Sequence, residues 1–157
     1  MSPLADTTVL NNFAQIRRPD LLQSAWPDLA APISVWNELE MGVQRGLVPA
    51  CDWSWLRLVE LTAQEQIQAS EVGRTLGSGE AACIAVAATR GLVVLSDDWE
   101  ARALGRSLGL EISGSLGVLD RLVWKQALSL EEADALLAAM VRRGFRSPYR
   151  TLRDIPR

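Results

Sequence analysis

The chain has 157 residues, of which 48% are hydrophobic and 22% charged, and its formal net charge is −3. This balance is typical of a folded globular domain and argues against a disordered chain or a general affinity for nucleic acid. Histidine is absent from the sequence, which excludes Ser–His–Asp and Cys–His catalysis and any zinc site that needs imidazole. The sequence has neither a membrane-spanning apolar stretch nor a secretion-signal pattern, so we expect a cytoplasmic protein that contacts no membrane. In that compartment Cys51 and Cys83 are expected as buried free thiols.

The first half of the chain alternates short apolar runs with helical segments. The segment "SPLADTTVL" predicts a short strand that leads into a helix. "ISVWNELEMGVQRG" predicts a strand or turn that enters a helix, with Ser34 as the candidate N-cap and Gly46 as the stop. "LRLVELT" has the alternation of a strand, and Thr62 and Glu65 behind it have the spacing of a capping box.

The second half continues this alternation. "GSGEAACIAVAATRG" is apolar nearly all round, as a buried helix is, and "GLVVLS" is typical of a central strand. "WEARALGRSLG" predicts a helix, "LEISG" a strand and "SLGVLDRLVWKQ" an amphipathic helix. The last helix is predicted over "SLEEADALLAAMVRRG", with a capping box at Ser129 and Glu132 and a stop at Gly144. Because no repeat or linker interrupts this pattern, we expect a single α/β domain over residues 1–157 with a largely parallel sheet.

Acidic residues fall where predicted strands lead into helices. Asp6 follows the first strand, Glu38 and Glu80 lie early in two helices, and Asp97 and Asp98 follow "LVVLS". Ligands of parallel sheets bind beyond the carboxyl ends of the strands. Each acid taken alone is explained by its interaction with the dipole at the start of a helix, which stabilises a negative charge by about 0.3–1 kcal/mol. If the acids converge at one edge, their repulsion requires a hard divalent cation such as Mg²⁺ or Mn²⁺.

The end of the chain, residues 142–157, is rich in arginine and contains one acidic residue, Asp154. Two interpretations stay open: a solvated basic tail that pairs with acids elsewhere, and a surface that contacts phosphates. Trp53 and Trp55 are able to stack on bases, although packing in the core or an oligomer is the favoured interpretation.

Four segments in this order resemble the PIN-domain family of α/β nucleases, which includes the toxin halves of VapBC-type toxin–antitoxin pairs. They are "ADTTVLNNF", "ISVWNELEMGV", "GEAACIAVAATRGLVVLSDD" and "ISGSLGVLDRL". The resemblance covers nearly the whole chain, and the closing "GFRSPYRTL" is similar to the end of one branch of PIN-like proteins. It implies a PIN-like fold, in which helices flank a central, mostly parallel sheet.

The resemblance also implies a site in which acidic residues hold one or two Mg²⁺ or Mn²⁺ ions and cleave single-stranded RNA. The family's acidic positions fall on Asp6, Glu38, Glu80 and Asp98. Asp6 and Asp98 are the expected direct ligands, whereas Asp97 is the alternative to Asp98 and the expected cap of the following helix. Glu80 departs from the aspartate that the toxins more often have.

Further residues receive supporting roles from the same resemblance. Thr7 and Ser96 match hydroxyl groups that support the metal site, and Glu38 is preferred over Glu40 on motif position. A set of arginines is expected to contact RNA phosphates or the acidic segment of an antitoxin: Arg102, Arg106, Arg142, Arg143, Arg146 and Arg150.

The function that these features favour is a metal-dependent endoribonuclease, the toxin of a toxin–antitoxin pair. Two alternatives remain: a non-catalytic PIN-like module that binds RNA or protein, and a housekeeping PIN nuclease that acts on RNA or DNA without an antitoxin. A homodimer is expected from the habit of the family, in part through the apolar helices near residues 81–88 and 133–141.

Overall fold

The fold is built on a five-stranded sheet in which all the described strands are parallel. The computed structural model describes residues 2–156. The strand order across the sheet is β3-β2-β1-β4-β5, with β1 at Leu4–Ala5, β2 at Ala30–Pro32, β3 at Arg57–Val59, β4 at Val94–Leu95 and β5 at Ile112–Ser113. The predicted α/β class is therefore confirmed, and the sheet is parallel throughout these strands.

Helices cover the sheet and account for most of the described residues. They are α1 (Thr7–Gln15), α2 (Pro19–Ala25), α3 (Ile33–Gln44), α4 (Ala63–Val72), α5 (Ser78–Arg90), α6 (Trp99–Ser107), α7 (Ser115–Trp124) and α8 (Leu130–Arg142), followed by a 3-10 turn at Leu152–Asp154. Among residues 2–156, no helix has the length and apolar character needed to cross a membrane.

The region around α2 and β2 differs from the prediction. Helix α2 covers "PDLLQSA", which the sequence pattern left unassigned, and it begins at Pro19, a residue favoured at the first helical position. The strand before α3 is "AAP" rather than "ISVW", so the helix starts at Ile33 and its N-cap is Pro32. The prediction of Ser34 as the cap is therefore wrong, because this residue already lies inside the first turn. The stop at Gly46 is confirmed by its positive φ of 73°.

Helix α5 is the most deeply buried helix predicted from the sequence. Residues 81–87 are all buried, and α5 packs against α3, α4 and the strands β1, β2 and β4. The chain's own core covers residues 81–87 of this helix, and the homodimer stays a prediction. Both cysteines are free thiols, as expected: Cys83 on α5 is buried, whereas Cys51 is only half-buried.

Glu65 anchors α4 to α5 although its side chain is completely buried. One carboxylate oxygen accepts a hydrogen bond from the backbone N–H of Thr62 at 2.9 Å, which completes the predicted capping box. Arg90 donates from Nε and Nη2 to the two oxygens, at 2.9 and 2.8 Å. These hydrogen bonds from Arg90 are the largest cause of the lowered pKa of Glu65.

We expect Glu65→Gln to reduce the free energy of unfolding by about 1–3 kcal/mol, since charge-assisted hydrogen bonds are lost from a buried group. The folded-state pKa of Glu65 lies below its unfolded value of 4.5, so this stabilisation is present above that pH and disappears as the pH falls through the folded pKa. Urea unfolding of wild type and variant at neutral and acidic pH measures both effects. Glu71→Gln, on an exposed position of the same helix, is the matched control, and an equal loss there would contradict the assignment.

Candidate active site

The candidate site lies at the carboxyl edge of the sheet, where β1 and β4 end side by side. Asp6 directly follows β1 and Ser96 directly follows β4, and the register pairs Ala5 with Leu95. The strand order reverses at this point, because β2 continues the sheet on one side of β1 and β4 on the other. Such a switch point is where parallel α/β sheets bind their ligands.

Asp6 is a completely buried carboxyl group that caps α1. Its Oδ1 accepts hydrogen bonds from the Thr8 hydroxyl at 2.6 Å, the Thr8 backbone N–H at 3.0 Å and the Val9 N–H at 3.3 Å. The Ser96 hydroxyl donates to Oδ2. Burial raises the pKa of Asp6 to about 7 against the opposing effect of these hydrogen bonds, and the negative charge of Asp97 adds to the rise. A cation placed beside Asp6 would favour its charged form.

Glu38 joins three helices at the same edge. Its Oε2 accepts a hydrogen bond from the Thr7 hydroxyl at 2.9 Å. Its Oε1 accepts from the Ser78 hydroxyl at 3.0 Å and from the Gly79 backbone N–H at 2.9 Å. A Cβ atom on Gly79 would lie 2.8 Å from Oε1 of Glu38, so the glycine permits this close approach. Glu40, by contrast, is exposed on the same helix.

Glu80 lies in the first turn of α5, where its Oε2 accepts a hydrogen bond from the Gly77 N–H at 2.9 Å. The pKa of Glu80 is raised mainly by burial and next by the negative charge of Asp98, with smaller contributions from Glu38 and Glu100. Glu80 therefore shares its surroundings with two other acids that the sequence singled out. These acids come from separate parts of the chain and lie close enough to Glu80 to raise its pKa.

Asp97 and Asp98 have different partners although they are adjacent. Asp98 is the N-cap of α6, since its Oδ2 accepts a hydrogen bond from the Ala101 N–H at 2.8 Å. Asp97 instead accepts from the Ser115 N–H and from Nδ2 of Asn12, both at 2.8 Å, and from the Ser115 hydroxyl. The expectation that Asp97 caps α6 is wrong. The helix begins at Trp99, which makes the residue directly before it, Asp98, the cap.

Several residues of this network were not found from the sequence. Asn12 and Ser115 hold Asp97, the Thr8 hydroxyl accepts from the Asp97 N–H at 2.8 Å, and Ser78 contacts Glu38. Hydroxyl and amide residues are too common for their position to signal such contacts. Gly114 was easier to single out, because it stands directly before a predicted helix. The structure shows why a glycine is needed: a Cβ atom there would overlap Oδ1 of Asp97.

We expect Gly114→Ala to destabilise the fold by about 1–3 kcal/mol, because the added methyl group displaces the Asp97 carboxylate from the start of α7. The φ of Gly114 is −144°, which alanine adopts freely, so the effect is one of contact. Chemical denaturation of Gly114→Ala, Asp97→Ala and the double variant measures it as a cycle. Gly114→Ala should reduce the free energy of unfolding by less in the Asp97→Ala background than in the wild type. Additive losses would show that the two residues are not in contact.

The acids share one edge but do not form a closed set of metal ligands. Within residues 2–156, no three Asp, Glu, Cys or His side chains are arranged to hold a metal ion as they stand. Each carboxylate is turned toward N–H or hydroxyl groups at the start of a helix, which explains this arrangement. The donors nevertheless fit a hard divalent cation, because they are carboxylate and hydroxyl oxygens with no imidazole among them. Cys83 is buried under this edge, where its thiol donates to the Ala5 carbonyl at 3.5 Å and burial raises its pKa.

A family comparison agrees with this geometry: the family model DUF3368, described as a PIN domain, matches residues 3–157. The chain belongs to this PIN-domain family. A comparison with curated proteins gave no match. PIN domains are generally nucleases and typically use divalent metal ions, which is consistent with an edge lined by carboxylates. The PIN-like fold expected from the sequence is confirmed.

The fold separates the arginines that the sequence grouped together. Arg102 is half-buried beside the acids, where its Nη1 donates to the Ser96 carbonyl at 3.0 Å and its charge interacts with Asp97 and Asp6. Arg146 shares a groove with Arg102. The other four arginines of the set are exposed: Arg106, Arg142, Arg143 and Arg150. Arg142 and Arg143 border a different surface, which also includes Arg17.

Proposed function

We propose that this PIN domain is a metal-dependent endoribonuclease that hydrolyses single-stranded RNA. The observation that carries the proposal is a set of hydrogen bonds that links the acids at this edge. Glu38 accepts from Thr7, next to Asp6, and from Ser78 and Gly79, next to Glu80. Ser96 donates to Asp6 and accepts from the Asp98 N–H. Helix caps alone do not require acids from α3, α5 and the end of β4 to lie together. A site that holds a divalent cation does require it.

Asp6, Glu38, Glu80 and Asp98 are the residues that would hold Mg²⁺ or Mn²⁺. The bound ion supplies activation of a water molecule and stabilisation of the negative charge that develops on the phosphate. The chain's own hydroxyl groups position these acids: Ser96 donates to Asp6 and accepts from the Asp98 N–H at 3.1 Å.

The finer assignment is that of a cytoplasmic toxin held in check by a cognate antitoxin. It is supported by the resemblance of the acidic segments to VapC-type toxins. Expression of the wild-type chain in a bacterial host should then arrest growth, whereas an inactive variant should not. Growth at the same rate with both proteins, at equal expression, would favour a housekeeping PIN nuclease.

The direct test is cleavage of a mixed pool of single-stranded RNA by the purified protein with Mg²⁺, with Mn²⁺ and with EDTA. We expect cleavage with one or both metals and intact RNA in EDTA. Single-stranded DNA and duplex RNA of the same sequences define the substrate class. Calorimetric titration of Mn²⁺ on the same sample is the second readout. Intact RNA together with no Mn²⁺ binding would leave a non-catalytic binding module.

A further inference from the structure

A groove of about 540 Å³ opens beside the acidic edge. Its walls are the start of α6, the start of α7 and the segment after α8, residues 145–155. Asp97 and Trp99, the residues on either side of Asp98, both line the groove, so the groove borders the proposed active site. The volume lies in the range of about 300–1,000 Å³ that is typical of small-molecule sites.

Three aromatic side chains line this groove: Trp99 on α6, and Phe145 and Tyr149 in the segment after α8. Trp99, the first residue of α6, is 79% exposed and follows Asp98 directly. Tyr149 comes from the segment after α8 and is half-buried. An indole this exposed contributes little to the core, whereas an exposed aromatic face is the feature on which an unpaired base stacks.

The groove also contains two guanidinium groups, from Arg102 and Arg146. The hydrogen bond from Arg102 to the Ser96 carbonyl fixes its side chain between the groove and the acidic edge. Arg146 is exposed. Two acidic residues, Asp97 and Asp120, also line the groove. Asp97 accepts from the Ser115 N–H, and its charge interacts with that of Arg102.

The segment after α8 is held in place, which gives the groove a defined wall. Leu152 is completely buried, and its N–H donates to the Asp134 side chain on α8 at 2.8 Å. Ser147 and Tyr149 form a local turn, in which the Tyr149 N–H donates to the Ser147 hydroxyl at 3.2 Å. The aromatic ring and the guanidinium of this wall are therefore presented on an ordered backbone.

We propose that the groove binds one unpaired nucleotide of the RNA substrate, beside the bond that is cleaved. Its base stacks on Trp99 and Tyr149, and its phosphate pairs with Arg102 and Arg146. This inference rests on the proposed nuclease function and adds the origin of its single-strand preference. A base inside a duplex has both faces covered by its neighbours, so it cannot stack on a protein ring without leaving the helix.

The test is RNA binding in EDTA, where no cleavage takes place, measured by fluorescence anisotropy of a short 5′-labelled oligouridylate. We expect Trp99→Ala to weaken binding about tenfold, as for the loss of one stacked base. Arg146→Ala should weaken binding and reduce the slope of log affinity against log salt by about 0.7, the value for one phosphate contact on a single strand. Thermal unfolding of each variant verifies that the fold is retained.

Two matched controls lie outside the groove: Trp124→Ala, at a position that is 82% exposed, and Arg45→Ala, at an exposed position directly after α3. Equal losses in the controls would overturn the proposal even if metal-dependent cleavage is found. If Trp99 and Arg146 matter for binding but no metal supports cleavage, the groove is upheld and the nuclease function fails. A labelled oligoglutamate that binds with the same dependence, while RNA does not, would assign the groove to an acidic protein segment and overturn the RNA proposal.

Discussion

Glu38→Gln should reduce metal-dependent RNA cleavage by about 100-fold or more and leave the fold intact, since even indirect supports of a metal site typically contribute 10–100-fold. Glutamine keeps the length of the side chain, and its carbonyl oxygen still accepts from the Gly79 N–H. Its amide group meets the Thr7 hydroxyl, which is able to accept as well as donate. The substitution therefore removes a charge while the local hydrogen bonds persist.

The matched control for this variant is Glu40→Gln, two residues along α3. Glu40 is exposed, and residues two apart on a helix do not share a face. Cleavage rates and Mn²⁺ titrations of both variants, compared with the wild type at the same protein concentration, separate the two roles. Full activity of Glu38→Gln would remove Glu38 from the site, and a loss in both variants would point to a general effect of charge.

The positions of the acids were predictable because they depend on the ends of elements. A parallel sheet brings the ends of its strands to one edge, so Asp6 after β1 and Asp98 after β4 follow from the strand pattern and the order of elements. Glu80 was likewise predictable in the first turn of α5, a helix whose apolar sequence predicted its burial. Such local signals survive even though the strands are two or three residues long.

Contacts between distant residues were not predictable from the sequence. Asn12 reaches Asp97 across 85 positions, and Arg90 reaches Glu65 across 25. Nothing in the local pattern around these residues indicates a partner, because the contact depends on how whole helices pack. For the same reason the sequence assigned the cap of α6 to Asp97: an adjacent pair of aspartates looks equivalent until the start of α7 is placed beside one of them.

Asp97→Asn and Asp98→Asn should have opposite effects on stability and activity. Asparagine is as good an N-cap as aspartate, so Asp98→Asn should change the free energy of unfolding by less than about 0.5 kcal/mol. Its cleavage activity should fall at least about tenfold if Asp98 helps to hold the metal ion. In Asp97→Asn one carboxylate oxygen becomes an NH₂ group that faces the NH₂ of Asn12, and two opposed donors should cost about 1–3 kcal/mol.

Urea unfolding and RNA cleavage, both at a temperature where each variant is folded, distinguish the two residues. Under those conditions Asp97→Asn should retain most of its activity, since Asp97 is held by Ser115 and Asn12 and is not among the residues proposed to hold the metal ion. The reverse pattern, in which Asp97→Asn is stable and inactive and Asp98→Asn is unstable and active, would transfer the metal site to Asp97. In that case Asp97 would be the metal ligand, and Asp98 would contribute only to stability, as the N-cap of α6.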